Sequence, residues 1–326
     1  MKTRKTVWTQ VLAAASGCFL MCCSPAGPEP DAAPNAPNAP NATAESGTVD
    51  APPPPRSPLP DGFNLPASDD GASGASGAPT SPPAPASATG RVIWASTGTT
   101  LLRLTSNAPT KVDVHALAGL AQGEHVVGLD FRKNGTLYAV GSTSRLFSVD
   151  ASDASAATAT ATAISFAPFA EPLDGTAFGF GFDPISDLGR VASNTSENIR
   201  VEADSGTVTN VDGSLHFAPG DAHVKAVPRV TALAYAADGT GYALDAQTGS
   251  LVRIVDSYSG ELQTIGAMDV TASDVSGFDI AGTDAFAALR VGTVTSLYGV
   301  DLATGKVTSI GTLGDGGPVT GLAIQP

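Results

Sequence analysis

Gly128-Leu129-Asp130-Phe131 recurs four times, as Gly179-Phe180-Gly181-Phe182, Ala232-Leu233-Ala234-Tyr235, Gly277-Phe278-Asp279-Ile280 and Gly321-Leu322-Ala323-Ile324. Each copy sets apolar residues at alternate positions around a small or acidic one, which is the period of a β-strand. The second positions, Leu129, Phe180, Leu233, Phe278 and Leu322, are spaced 51, 53, 45 and 44 residues apart. Steps of that length match one four-stranded blade of a radial β-repeat.

Short β-rich runs fill the intervals and are punctuated by Gly, Asp, Asn and Ser. After Val126–Phe131 come a turn at Lys133-Asn134-Gly135, a strand over Thr136–Val140 and another over Arg145–Val149. A fourth strand is expected in the Ala/Thr run before Phe166. A recurring turn, Asp204-Ser205-Gly206, Asp256-Ser257-Tyr258-Ser259-Gly260 and Asp301-Leu302-Ala303-Thr304-Gly305, falls between the third and fourth strands. There Asp can cap and Gly can take positive φ, so the motif reads as turn chemistry and not as a cation loop.

The last copy, within Pro318–Gln325, supplies one inner strand and stops, whereas Arg91–Trp94, Leu101–Leu104 and Lys111–Val114 supply strands with no inner one before them. Joined, they make a blade shared between the two ends. The expected fold is therefore an all-β, five-bladed β-propeller closed by pairing of its N- and C-terminal strands, which removes exposed sheet edges. Six blades is the competing count if residues 208–228 hide a short unit; Asp212-Gly213, Pro219-Gly220-Asp221 and Pro228 favour a long loop there.

Ahead of this domain, residues 1–17 read as a signal peptide, with a basic start (Lys2, Arg4, Lys5) and an apolar run too short to span a bilayer. Ala15-Ser16-Gly17-Cys18 resembles the lipobox of bacterial lipoproteins, which makes Cys18 the expected acylation site, with Cys22 and Cys23 as alternatives. Residues 18–88, rich in Pro, Ala and Ser, have too little apolar area to offset chain entropy and read as a disordered tether. The propeller domain is assigned to 89–326. The implied setting is a bacterial cell envelope, with the chain held to a membrane by an N-terminal lipid and exposed outside the cytoplasm.

The formal charge is −14, which repels phosphate backbones and argues against a nucleic-acid partner. All three cysteines precede residue 24, so the domain has no disulfide, thiolate nucleophile or cysteine-ligated zinc. It contains no Gly-x-Ser-x-Gly elbow, no His-Glu-x-x-His and no P-loop. No catalytic or metal-binding residue is assigned. His216 and His223, near Asp212 and Asp221, read as polar loop residues. Asp183 and Asp187 read as turn caps paired with Arg190 or Arg200. Asp130 and Asp279 hold the middle of inner strands, where Gly181, Ala234 and Ala323 stand in the other copies. They are the candidate channel-lining residues, expected to face an acidic and roomy channel. A channel Ca2+ is conceivable there, but direct hydrogen bonding of each carboxylate to backbone N–H groups is preferred, and no cofactor is assigned.

Gly128-Leu129-Asp130-Phe131-Arg132, Gly135 to Ser142 and Arg145-Leu146-Phe147 together resemble a bacterial exported family known only as a domain of unknown function. Gly175 to Phe180, Phe182, Pro184, Asp187, Arg190-Val191, Asn198 to Val201 and the ending Gly317 to Ala323 agree with it. The likeness spans 91–326. It departs at Gly181, where the family usually has Asp, and at Asp187-Leu188, where it has Asp-Arg, and these changes should weaken a polar network in the second repeat. The resemblance implies a propeller-like secreted domain and brings no activity. Two functions follow as expectations: a non-catalytic surface propeller that binds or scaffolds an extracytoplasmic ligand or protein, or a propeller hydrolase or lyase with a channel cation.

Overall fold

The computed structural model describes residues 90–326 with the exception of Val275. The leader, Cys18, Cys22, Cys23 and the tether lie outside the described residues. Every regular element described is a strand. The chain opens with β1 (Val92–Ser96), β2 (Thr100–Thr105) and β3 (Asp113–Ala118). The first complete blade is β4 (Val126–Phe131), β5 (Leu137–Gly141), β6 (Arg145–Asp150) and β7 (Thr158–Ala163). The second is β8 (Phe178–Phe182), β9 (Gly189–Ser193), β10 (Asn198–Val201) and β11 (Val208–Val211). After the short β12 (His216–Phe217), the third follows as β13 (Val230–Tyr235), β14 (Gly241–Asp245), β15 (Ser250–Asp256) and β16 (Glu261–Ala267). The fourth is β17 (Ser276–Ala281), β18 (Asp284–Val291), β19 (Val294–Val300) and β20 (Val307–Thr312), and β21 (Gly321–Ile324) ends the chain.

The fifth blade is composite. Strand β21 pairs antiparallel with β1, Trp94 opposite Ala323 and Ser96 opposite Gly321, ahead of β2 and β3. The five inner strands β4, β8, β13, β17 and β21 each pack against the next, and β21 returns to β4, so the ring is closed. The fold is a five-bladed β-propeller.

Alternate residues of each inner strand face the two neighbouring blades. The second positions fall one to each of five separate hydrophobic clusters: Leu129, Phe180, Leu233, Phe278 and Leu322. Each cluster fills one seam between blades, so the molecule has five thin cores. The residue just before the second position explains the leading glycine of the repeat. A Cβ at Gly128 would lie 2.5 Å from Phe180 Cβ, one at Gly179 2.6 Å from Leu233 N, one at Gly277 2.7 Å from Leu322 N, and one at Gly321 2.9 Å from Leu129 N. The fifth copy carries Ala232, the next smallest residue. Side chains here would prise the ring open.

Two features add to the expected pattern. Strands β3 and β7 pair in parallel, Ala116 to Thr158 through Ala118 to Thr160, joining the fifth and first blades into one eight-stranded sheet. The stretch between β11 and β13 holds no sixth blade; β12 instead lies parallel to β16 and covers the outer edge of the third blade. The recurrent turn also does more than turn. Gly260 and Gly305 have φ of 82° and 76°, and a Cβ on them would sit 2.3 and 2.4 Å from the carbonyls of Gly213 and Gly266 on the preceding blade. In the second blade the capping place belongs to Glu202, whose carbonyl accepts Gly206 N at 2.9 Å as Asp256 O accepts Gly260 N. Asp204, read as the cap, is released for another role.

Overpacking a close contact of this kind costs about 1–3 kcal/mol. Gly128→Ala and Gly277→Ala are expected to lower unfolding free energy by at least that much in urea titrations. Gly299→Ala, in strand β19 with nothing within 4 Å of its added methyl, should stay within about 0.5 kcal/mol of the parent. Equal behaviour of the three variants would contradict the steric role of the inner ring.

Candidate functional site

Because the inner strands crowd together, the axis is nearly shut at the level of Gly128, Gly179, Gly277 and Gly321, where only about 10 Å3 remains. The roomy channel expected from the repeat is absent; side chains at alternate positions lie in the seams instead of the lumen. Space opens at the two ends. The smaller, about 70 Å3, is lined by His125, Thr176, Thr231, Ser276 and Thr320, with Thr231 and Ser276 hydroxyls 2.8 Å apart.

The larger opening is a funnel of about 430 Å3 to which all five blades contribute. Its wall includes the residue after each middle position: Phe131, Phe182, Tyr235, Ile280 and Ile324. Arg91, Lys133 and Asp187 stand at its rim, where Arg91 Nε reaches Asp284 Oδ2 at 2.7 Å and Arg132 holds Asp187 with two bonds of 3.1 and 2.7 Å. Asp130 and Asp279 line the same funnel and are 8 % and 7 % exposed.

Both carboxylates are fully engaged with backbone. Phe182 N donates to Asp130 Oδ2 at 2.7 Å, and Phe131 N donates to Oδ1 at 2.7 Å. Asp279 repeats the arrangement with Ile324 N and Ile280 N, both at 2.6 Å. Each side chain thus ties its own inner strand to that of the next blade. Burial pushes both carboxyls up, the Asp279 charge raises Asp130 further, and the donated N–H groups pull in the opposite direction. Asp279 reaches about 7.

The second blade lacks this tie, since a Cβ at Gly181 would lie 3.0 Å from Leu233 Cδ2. The network is not weakened but moved outward to Arg190, which lies opposite Gly181 on β9. Arg190 Nε donates to Tyr235 Oη at 2.7 Å and Nη1 to Ser257 O at 3.2 Å, both in the third blade. Its charge is balanced within the second blade by Asp212, which also takes Arg200 through two bonds of 2.8 Å. The expected partners of Arg190 and Arg200 are therefore corrected: Asp187 belongs to Arg132, along with Asp204, across the seam between the first and second blades. Asp183 does cap its turn, accepting from Ile185 N and Ser186 Oγ at 2.9 and 2.7 Å.

The histidines do not assemble. Asp212 is taken up by arginines, while Asp221 pins the loop to β16 through Thr264 N at 2.7 Å, with His223 Nδ1 on Thr264 Oγ1 at 3.1 Å. His216 is exposed, and His115 is buried against Ala156 O. Among the described residues no group of three or more His, Cys, Asp or Glu is placed to hold a metal ion. Arg132 and Arg190, which bridge neighbouring blades, were legible only as charges in strand context, because their partners lie on other blades.

Asp130 and Asp279 have folded-state pKa values above the unfolded value, so their neutral forms contribute stability that is complete below about pH 4. The Asp279 contribution is lost as pH rises through about 7, and the Asp130 contribution falls in the same direction. Urea unfolding at pH 4, 5, 6 and 7 should show stability of the parent falling relative to Asp279→Asn, by up to about 1.4 kcal/mol per pH unit for each proton released. Parallel pH profiles for the two proteins would refute the assignment.

No curated protein matches the chain. Among solved structures it is similar to a chain of a nidogen/laminin complex, with TM-score 0.47, 11 % identity and coverage of 73 % of this chain and 99 % of that one. A Bacteroides caccae protein of unknown function gives TM-score 0.41 at 11 % identity, again covering 73 % and 99 %. A putative 6-phosphogluconolactonase from Bacteroides uniformis gives 0.39 at 14 % identity, covering 69 % and 83 %. The sequence itself matches one family over residues 100–323, which takes in all four complete blades and most of the composite one, and the chain belongs to that family, described as Domain of unknown function (DUF4394).

Proposed function

We propose that this chain is a non-catalytic, lipid-anchored extracytoplasmic propeller that binds or scaffolds a partner at the axial funnel. The observation that carries the reading is the state of Asp130 and Asp279. Each spends both oxygens on backbone N–H groups of adjacent inner strands. Groups so employed hold the ring together and are not free to move protons on a substrate. What the funnel offers a partner is its apolar wall and the charges of Arg91, Lys133 and Asp187 at the rim. Cys18 carries the anchor in this reading, and the Pro-rich stretch behind it spaces the domain from the membrane.

A propeller hydrolase or lyase with a cation at the funnel floor is the second reading, favoured by the two buried carboxylates at one depth. The two part company in a calcium titration. Calcium would have to displace four backbone donors, so the melting temperature of the full chain is expected to move no more with Ca2+ than with equal Mg2+. A rise that keeps growing with the logarithm of Ca2+ concentration, as linkage requires, would overturn the non-catalytic reading. For the anchor, Cys18→Ala should shift the expressed chain from the membrane to the soluble fraction of a bacterial host, whereas Cys22→Ala and Cys23→Ala should leave it membrane-bound. A Cys18→Ala chain that stayed with the membrane would place the lipid elsewhere.

A further inference from the structure

The seam between the fifth and first blades differs from the other four. It is tied inside by Gly321 against Leu129 and outside by the parallel ladder of β3 and β7. Between those ties a cleft of about 650 Å3 opens beside the funnel, with Phe131 lining both. The other seams are crossed by basic side chains: Arg132 to Asp187, Arg190 to Tyr235, Arg229 to Asp274, and Arg91 to Asp284. Among the described residues no Arg or Lys crosses this one. In the place that Arg190 holds in the second blade stands Trp94, opposite Ala323, with its indole N–H directed to Gln325 Oε1 at 3.4 Å. The cleft is open to solvent, and a preformed slot with an apolar floor and a few polar groups at its mouth has the dimensions of a small-molecule site.

The charges at the cleft define what would fill it. Arg103 and Asp150 both line it and do not pair with each other. Arg103 makes one long bond, 3.4 Å, to Asp113 of its own blade, and Asp150 accepts from Ser152 N and Oγ within its turn. Opposite charges that line an apolar cleft from two different blades are complementary to a ligand that carries both signs and a flat apolar body. We propose that this cleft binds a zwitterionic aromatic amino acid, free or at the end of a dipeptide. Its ring lies against Trp94, Leu137 and Val149, its carboxylate meets Arg103 and its ammonium meets Asp150. The proposal does not depend on what occupies the funnel.

Trp94 provides the readout, since the chain has only one other tryptophan, Trp8. In the full chain carrying Trp8→Phe, phenylalanine is expected to change Trp94 emission saturably. 3-Phenylpropionate and phenethylamine, which each lack one charge, should bind at least about tenfold more weakly, the equivalent of one charge-assisted contact. Arg103→Met and Asp150→Asn should each weaken phenylalanine by a similar factor without a change in melting temperature. No saturable change at about 20 mM phenylalanine, about twentyfold above a Kd of about 1 mM, would overturn the proposal, as would equal affinity for all three probes. Should Arg103→Met fail to fold, Ala151→Phe fills the cleft from its other wall; it should abolish binding, and retained binding would be equally fatal.

Discussion

In four of the five inner strands the backbone comes closer to its neighbour than a side chain allows, and this steric limit governs the rest of the molecule. At one level of the ring a Cβ on any of four glycines would sit under 3.0 Å from the next inner strand. Beyond that level the same strands do different work. The neighbouring large residue, Leu129 or its counterpart, seeds the core of a seam, and the neighbouring acid, Asp130 or Asp279, hydrogen-bonds the following strand. Each seam needs both of its blades, so no blade carries a complete core of its own. The seam-by-seam construction makes the composite fifth blade indispensable, because two of the five cores depend on β21.

The same limit decides where anything can bind. A ring tight enough to close leaves almost no lumen, so the accessible space is pushed to the ends of the axis and, in one case, into a seam. The two carboxylates that a channel picture would offer to a cation or substrate are consumed in holding the ring, and burial raises both carboxyls. Where Gly181 removes one tie, Arg190 supplies a bridge farther out, with Asp212 and Arg200 around it. The seam that has neither device is the one left open beside Trp94.

Much of the fold was legible in the repeat, since the spacing of Leu129, Phe180, Leu233, Phe278 and Leu322 encodes both the blade length and the strand period. The unfinished copies at the two ends likewise revealed the shared blade. Strand limits fell within a few residues, because Gly135, Gly260 and similar turns announce themselves. What stayed hidden was contact between blades. Nothing in the Ala/Thr run of β7 says that it will lie parallel to β3, and nothing near Arg132 names Asp187, 55 residues away. The lumen was misjudged for a related reason. Asp130 and Asp279 look into open lumen when a strand is drawn alone, but in the ring their carboxylates bind the next blade beside the axial funnel that they line. What Asp130 and Asp279 engage depended on neighbours that local pattern does not specify.

Whether closure by β21 makes the five blades one cooperative unit is tested most directly by thermal unfolding of a chain ending at Gly317, alone and with a synthetic peptide of residues 318–326. The shortened chain is expected to lose its single sharp transition, and excess peptide to restore it in proportion to the logarithm of its concentration. A shortened chain that melts as sharply as the parent, and at the same temperature, would contradict it.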